Sequence, residues 1–285
     1  MILRHATGEL ALDRCLVMGI VNRTPDSFYD GGRMELSAAV DHALRLVDEG
    51  ADLLDLGAVK AGPGPDVSVK EETARLLPLV EAVAARVEVP LSVETGRAAI
   101  ATAAFEAGAS MLNDVTGAVD EDVLGACAEA GAAVVLMHHG GQIRSRPRNP
   151  RYDDVVRAVT AGWRDLTDRA LRNGSPRDRI VVDPGLDFGK NTFHSLELLD
   201  RLPELVAVGW PVLVAASRKD VVGETLGVAP GARLQGSLAV VAVAVRAAVA
   251  MVRVHDVAAT VQVVRMVEAI ARRRPPVAPV RGLWE

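Results

Sequence analysis

Met18-Gly19-Ile20-Val21-Asn22-Arg23-Thr24-Pro25-Asp26-Ser27-Phe28-Tyr29-Asp30-Gly31-Gly32 runs from an apolar strand straight into a polar, turn-rich loop closed by two glycines. Parallel α/β folds keep their functional sites at such strand-to-loop junctions. This loop offers Asn22 and Asp26 as oxygen ligands, Thr24 and Ser27 as hydroxyl donors, and Arg23 as a partner for an anion.

The same strand-then-polar-end grammar repeats outward from this stretch. Short β-branched runs occupy 16–21, 52–56, 91–93, 111–113, 133–137, 180–182, 212–215 and 251–254. Several are apolar throughout, as strands buried on both faces must be. Amphipathic helical patterns lie between them, among them 37–49, 70–86, 97–107, 152–172, 232–248 and 258–272. About eight β-α units are the number that closes a (β/α)8 barrel of the TIM type. An open, doubly wound sheet is the alternative, because periodicity does not prove closure. A chain of 285 residues is a normal length for one such barrel, so 1–285 is expected to be a single domain with an irregular tail over 273–285.

Composition narrows the rest. Hydrophobic residues reach 49% while aromatics are only 3%, so the core must be built from Ala, Val and Leu. A net charge of -5 argues against a general nucleic-acid surface but leaves room for a local basic pocket. Cys15 and Cys127 are too far apart and too few for a disulfide framework or a zinc site, and read as reduced structural thiols. The start of the chain lacks a basic-then-apolar targeting pattern, and the apolar run 238–252 is short and carries Arg246. A cytoplasmic protein with no membrane partner is expected.

Polar residues collect just after the strands. Besides Asn22 and Arg23 they include Glu94 and Thr95, Asn113 and Asp114, His138 and His139, Asp183 through Lys190, Ser217 through Asp220, and Arg253 through Asp256. Carboxylates and amides come from the middle of the order and cations from its end. One pole suits a polar heterocycle and the other an anion such as phosphate. Arg253 and His255, two apart on a strand, share a face and suit the anion. His138 and His139, being adjacent, point oppositely and have no third partner placed nearby, which argues against zinc. Asp183 ends an otherwise apolar strand, where a carboxylate is costly unless it has a partner, so it is assigned a ligand.

These pieces together resemble the dihydropteroate synthase family. The matching stretches are N-R-T-P-D-S-F at 22–28, S-V-E-T at 92–95, N-D-V-T-G at 113–117, D-P-G-L-D-F-G-K at 183–190, S-R-K at 217–219 and R-V-H-D-V at 253–257. The resemblance implies a (β/α)8 barrel, usually dimeric. It implies condensation of 6-hydroxymethyl-7,8-dihydropterin diphosphate with p-aminobenzoate, releasing pyrophosphate with Mg2+. By the same resemblance Glu94, Asn113, Asp183 and Lys219 would bind the pterin. Arg23, Phe188, Arg253 and His255 would serve the acceptor and anion end, and Asn22 the metal. Lys219, Arg253 and His255 would be the catalytic set.

The departures from the family pattern are concentrated. The loop that usually reads G-G-E-S-T-R-P-G is Gly57-Ala58-Val59-Lys60-Ala61-Gly62-Pro63-Gly64, without its Thr-Arg pair. The usual Asp is Glu94, a Ser after S-R-K is Asp220, and a Gly in the sixth loop is Asp187. Asp220 and Asp187 are expected to repel an approaching carboxylate. The V-K-A-G-P-G and D-F-G-K-N-T-F-H runs resemble a divergent, synthase-like paralogue group of actinobacteria, regarded as lacking the usual activity. The main expectation is a weak transferase or one with an altered acceptor. A silent pterin- and anion-binding paralogue is the alternative, and a pterin-binding methyltransferase module the weakest reading.

Overall fold

The polypeptide alternates strand and helix almost without interruption. In the computed structural model, which describes residues 1–23, 36–59, 64, 66–141 and 149–281, ten strands and ten α-helices are seen. The first half comprises β1 (Ile2–His5), β2 (Gly8–Ala11), β3 (Leu16–Asn22), α1 (Leu36–Asp48), β4 (Leu53–Gly57), α2 (Val69–Ala84), β5 (Leu91–Glu94), α3 (Ala98–Glu106), β6 (Met111–Asp114) and α4 (Asp122–Ala130). The second half comprises β7 (Ala133–Met137), α5 (Val155–Arg172), β8 (Ile180–Asp183), α6 (Thr192–Asp200), α7 (Leu202–Ala207), β9 (Leu213–Val214), α8 (Asp220–Leu226), α9 (Leu234–Arg246), β10 (Met251–Val254) and α10 (Val257–Ile270). Within the opening loop, 24–35 lies outside the described residues, as do 60–63 and 65, 142–148 and 282–285.

Eight parallel strands run in the order β8-β7-β6-β5-β4-β3-β10-β9. A parallel bridge between Val182 and Val212 returns β8 to the start of β9, and Val182 N donates to Pro211 O at 2.9 Å. The sheet is therefore nearly closed, and the barrel prevails over the open sheet. The expected strand 212–215 contracts to Leu213–Val214, because its first residue forms only that isolated bridge.

Two apolar layers follow from the two-residue strand period. Val17, Leu54, Leu56, Leu112, Val134, Leu136, Val182 and Val252 face outward onto Leu46, Leu76, Ile100 and Trp163 of the helices. Leu16, Met18, Leu53, Met111, Val135, Val181, Leu213 and Met251 face the barrel interior. Burial on both faces explains why these strands read as continuous apolar runs. The antiparallel β1–β2 hairpin, which the strand pattern did not reveal, sends fully buried Leu3 into the interior cluster. It stoppers the barrel at the N-terminal end of the strands. Above the apolar layer the strands end in polar groups, and that end is where ligand chemistry can occur.

Helix starts are locally encoded where the sequence supplies a cap. Ser68 accepts from Glu71 N at 3.2 Å, Asp154 from Arg157 N at 2.9 Å and Asn191 from His194 N at 2.9 Å. Residues 273–281 follow the last helix without regular structure and stand exposed, and Trp284 lies outside the described residues. Among the described residues no helix is long and apolar enough to cross a membrane.

Candidate functional site

Arg253 is the hub of the barrel mouth. It sits one strand period above Met251 on β10, so its side chain rises from the interior layer toward the open end. Its Nε donates to Asp55 Oδ2 at 2.6 Å and its Nη2 to Glu94 Oε2 at 2.7 Å. Asp55 is fully buried and also accepts from Ser92 Oγ at 2.7 Å and from Asn113 Nδ2 at 2.9 Å. One guanidinium is thus held between two carboxylates supplied by β4 and β5. Burial, partly opposed by Arg253 and reinforced by Asp55, pushes the Glu94 carboxyl up to about 7.

Asp55 was not among the residues singled out from the sequence. Its signal was the one used for Asp183: a carboxylate inside an apolar strand, Leu53-Leu54-Asp55-Leu56, which needs a partner to be tolerable. Its mid-strand position hid it, since attention falls on strand ends.

Asp183 closes β8. Its Oδ1 accepts from Gly185 N at 2.7 Å, while Oδ2 makes no hydrogen bond among the described residues. Burial raises its pKa, and Lys219 opposes that rise. Trp163 Nε1 in α5 donates to the Asp183 carbonyl at 3.0 Å and fixes the strand end. Gly185 holds φ 66°, and a Cβ there would run into the His138 carbonyl, so the turn after Asp183 requires glycine. Asn113 spends its amide donor on Asp55, and its Oδ1 makes no hydrogen bond among the described residues. The mouth therefore presents two open acceptors, Asp183 Oδ2 and Asn113 Oδ1.

Lys219 donates from Nζ to Leu186 O at 3.0 Å and stands 4.9 Å from the centre of the Phe188 ring. Burial lowers its pKa, opposed by Asp183 and Asp187. The loop that carries it is nailed in place. Arg218, at φ 57°, pairs with Asp256 at 2.6 Å, and Arg233 donates to the Arg218 carbonyl at 2.9 Å. His255 Nδ1 lies 3.1 Å from Ser217 Oγ. Burial, then Arg253 and Arg218, bring its pKa down to about 4, so the ring is neutral near pH 7 and offers a hydrogen bond rather than a positive charge to an anion.

Asn22 ends β3 opposite Gly57, and a Cβ at Gly57 would stand 2.9 Å from Asn22 Oδ1. The missing side chain leaves room for the amide to lean over β4. Arg23 follows; its Nη1 donates to the Arg75 carbonyl in α2 at 2.8 Å. Of its loop partners, Thr24, Asp26 and Ser27 lie outside the described residues, and so do Lys60, Ala61 and Gly62.

The two aspartates expected to confront an acceptor turn inward instead. Asp220 Oδ1 takes Arg233 Nη1 at 2.9 Å. Asp187, at φ 68°, accepts from Val221 N at 3.1 Å and from Ser195 Oγ at 3.2 Å, tying the β8 loop to the first turn of α8. The two adjacent histidines also diverge: His138 Nδ1 meets Lys190 Nζ at 2.9 Å, and His139 Nδ1 accepts from Gly141 N at 3.1 Å. Among the described residues no group of three or more His, Cys, Asp or Glu side chains could hold a metal ion.

Comparison with known proteins places this mouth in a family. Residues 18–255 match the model described as "Pterin binding enzyme". The chain is 49% identical over 285 residues to "Inactive dihydropteroate synthase 2" of Mycobacterium leprae (strain TN), covering 96% of this chain and 97% of that one. A dihydropteroate synthase of Yersinia pestis solved with a sulfonamide drug superposes with a TM-score of 0.92 at 40% identity, over 96% of this chain and 100% of that chain. One from Xanthomonas albilineans, solved in complex with 7,8-dihydropteroate, gives a TM-score of 0.86 at 41% identity, over 98% and 100%. A barrel of eight parallel strands that carry Asp55, Glu94, Asn113, Asp183 and Arg253, matched over nearly its whole length, makes this chain a member of the pterin binding enzymes, within the dihydropteroate synthase family.

Proposed function

We propose that this barrel binds a pterin at its mouth and is silent, or nearly so, in condensing a pterin diphosphate with p-aminobenzoate. The observation that carries the pterin half is the pair of open acceptors, Asp183 Oδ2 and Asn113 Oδ1, with Lys219 as a donor beside them. A carboxylate and an amide oxygen carried at the same end of one barrel suit the N–H edge of a planar heterocycle. Lys219 supplies the opposite polarity for a ring carbonyl or ring nitrogen, and Phe188 an apolar wall.

The silent half rests on the residues that would face the second substrate and the leaving group. The Thr and Arg of the family loop are Ala61 and Gly62, and neither can clamp an anion. A relative nearly half identical over almost the whole chain is itself called inactive. Anion contacts that remain are Arg253 through Nη1, neutral His255 through its free ring nitrogen, and Arg23 through nitrogens not spent on Arg75. These support binding of a phosphate group better than its departure, which calls for preorganised positive charge.

Magnesium fits only as part of a metal–diphosphate complex. Asn22 Oδ1, leaning over Gly57, is a single neutral oxygen donor of the kind Mg2+ accepts when substrate phosphates supply the rest. Bound so, the ion would neutralise phosphate charge. Asn22 would orient that complex, while Asp183 and Asn113 hold the ring.

Pyrophosphate release from 6-hydroxymethyl-7,8-dihydropterin diphosphate, with and without p-aminobenzoate, tests this reading beside a titration with 6-hydroxymethylpterin. Pterin binding without aminobenzoate-dependent release is expected. Robust aminobenzoate-dependent release would make the chain an ordinary synthase, and absence of pterin binding would remove the ligand.

A further inference from the structure

The guanidinium of Arg253 has two useful edges. One, at Nε, is spent on Asp55 at 2.6 Å. The other, formed by Nη1 and Nη2, is the edge that grips an oxyanion with two parallel hydrogen bonds. Glu94 takes one N–H of Nη2, the nitrogen common to both edges, at 2.7 Å, and Nη1 makes no hydrogen bond among the described residues. A phosphate arriving at the mouth meets a carboxylate already seated on one of the two nitrogens it needs.

We propose that Glu94 sets the anion affinity of the barrel, by locking the oxyanion-binding edge of Arg253. This deepens the reading above and rests on it for the identity of the site. Reach is the heart of the matter. Glu94 and Arg253 stand on β5 and β10, separated in the sheet by β4 and β3, so their contact spans the mouth. An aspartate on the same Cα would withdraw its carboxylate by about one carbon–carbon bond, roughly 1.5 Å. The hydrogen bond would then be lost while the charge stayed. Charge works in the same direction as occupancy. Asp55 and Glu94 together outweigh the single guanidinium between them, and both are almost wholly buried at 0% and 7% side-chain exposure, so solvent screens them little. Lys219 adds a positive charge to the mouth, but its ammonium donates to the Leu186 carbonyl and makes no hydrogen bond to Glu94 or Asp55 among the described residues.

The test is titration calorimetry with inorganic pyrophosphate, metal-free, on the full chain and on Glu94→Asp and Glu94→Ala. Glu94→Asp separates the lock from simple charge, since it shortens the side chain without removing its negative charge. Gain of the second nitrogen should tighten binding about tenfold or more in both variants. Glu94→Asp combined with Arg253→Lys should lose that gain, because an ammonium offers no paired edge. Affinity equal to the parent in the folded variants, absence of binding in both, or a gain that survives Arg253→Lys would each overturn the proposal. If Glu94→Asp fails to fold, Glu94→Ala decides with the same readout. Titration of the same proteins with 6-hydroxymethylpterin, which carries no phosphate, keeps the two ideas apart. Failure of every protein to bind it would defeat the pterin reading, whereas the lock stands or falls on pyrophosphate.

Discussion

Lys190 Nζ lies 2.9 Å from Nδ1 of His138, and the carbonyls of His138, Gly185 and Phe188 close around it at 3.0, 3.1 and 2.9 Å. The ammonium thus pins the loop that follows β8 to the end of β7. Burial, then Lys190, bring His138 down to about 3, so the ring is neutral and accepts the bond. Burial also lowers Lys190 from 10.5 to about 7.

That depression has a consequence for stability. Between pH 7 and 10.5 the unfolded chain keeps the lysine proton and the folded chain releases it. The unfolded state then binds more protons, so raising pH favours the fold through this group. Urea unfolding of wild type and Lys190→Met should show their stability difference moving in favour of wild type as pH rises from 7 through 9. Comparison within the pair cancels the opposite trend of buried Cys127, whose pKa burial raises to about 12. A difference that stays flat with pH would count against a depressed lysine.

Asp183 offers a cleaner test of the ring-binding edge than truncation does. In Asp183→Asn one oxygen can still accept from Gly185 N, so the loop keeps its anchor. The position now occupied by Oδ2 would become an N–H₂ group, a donor facing donors. Loss of a charged hydrogen bond, about 1.5–3 kcal/mol, predicts at least tenfold weaker pterin binding. Unchanged affinity in calorimetry of the folded variant would remove Asp183 from the site.

The N-terminal hairpin makes its own prediction. Leu3 is fully buried against the interior cluster with Met18, Met111 and Val181. Leu3→Ala should cost about 2–5 kcal/mol, since the rigid strands around it cannot collapse into the space. Denaturant unfolding showing less than about 1 kcal/mol would mean that the stopper contributes little.

The family resemblance also predicts a homodimer through the last helices. α9 and α10 pack on each other, and Val243, Met266 and Ile270 stand exposed on them. Apolar side chains left on a helix pair favour a self-complementary contact. Light scattering at micromolar concentration should give twice the chain mass, and a purely monomeric signal would refute it.

The barrel was readable from the sequence because its strands are buried on both faces and so lack the ambiguity of half-exposed ones. Asp183 and Arg253 stood out for the complementary reason, as polar groups in apolar strands, and His255 by its place two residues after Arg253, just past the end of β10. What stayed hidden depends on closure. Arg253 meets Asp55 and Glu94 across 198 and 159 residues of chain, and no local pattern encodes that. Asp220 and Asp187 read as repelling charges because their partners, Arg233 and the amide of Val221, emerge only when the loops are folded onto α8. The β1–β2 hairpin escaped because two short strands around an Ala6-Thr7 turn carry little periodic signal.

Arg23 is the last residue whose role can be decided by experiment. It stands where the family motif has Val, directly after Asn22, and it is a cation able to replace the arginine that the loop 60–63, outside the described residues, has lost. Its Nη1 is engaged with the Arg75 carbonyl, a neutral acceptor that leaves the positive charge unpaired by it. The remaining nitrogens and the full charge stay available to an anion near Asn22. Arg23→Val should therefore weaken pyrophosphate binding, and by a larger factor at about 0.01 M salt than at about 0.15 M, where the screening length falls from roughly 30 to 8 Å. A structural tether alone predicts something different: a loss independent of salt, accompanied by lower thermal stability as α2 loses its link to β3. Full anion affinity in the folded variant would exclude Arg23 from the site altogether. A salt-dependent loss at unchanged stability would establish it as the cation that partly replaces the missing clamp.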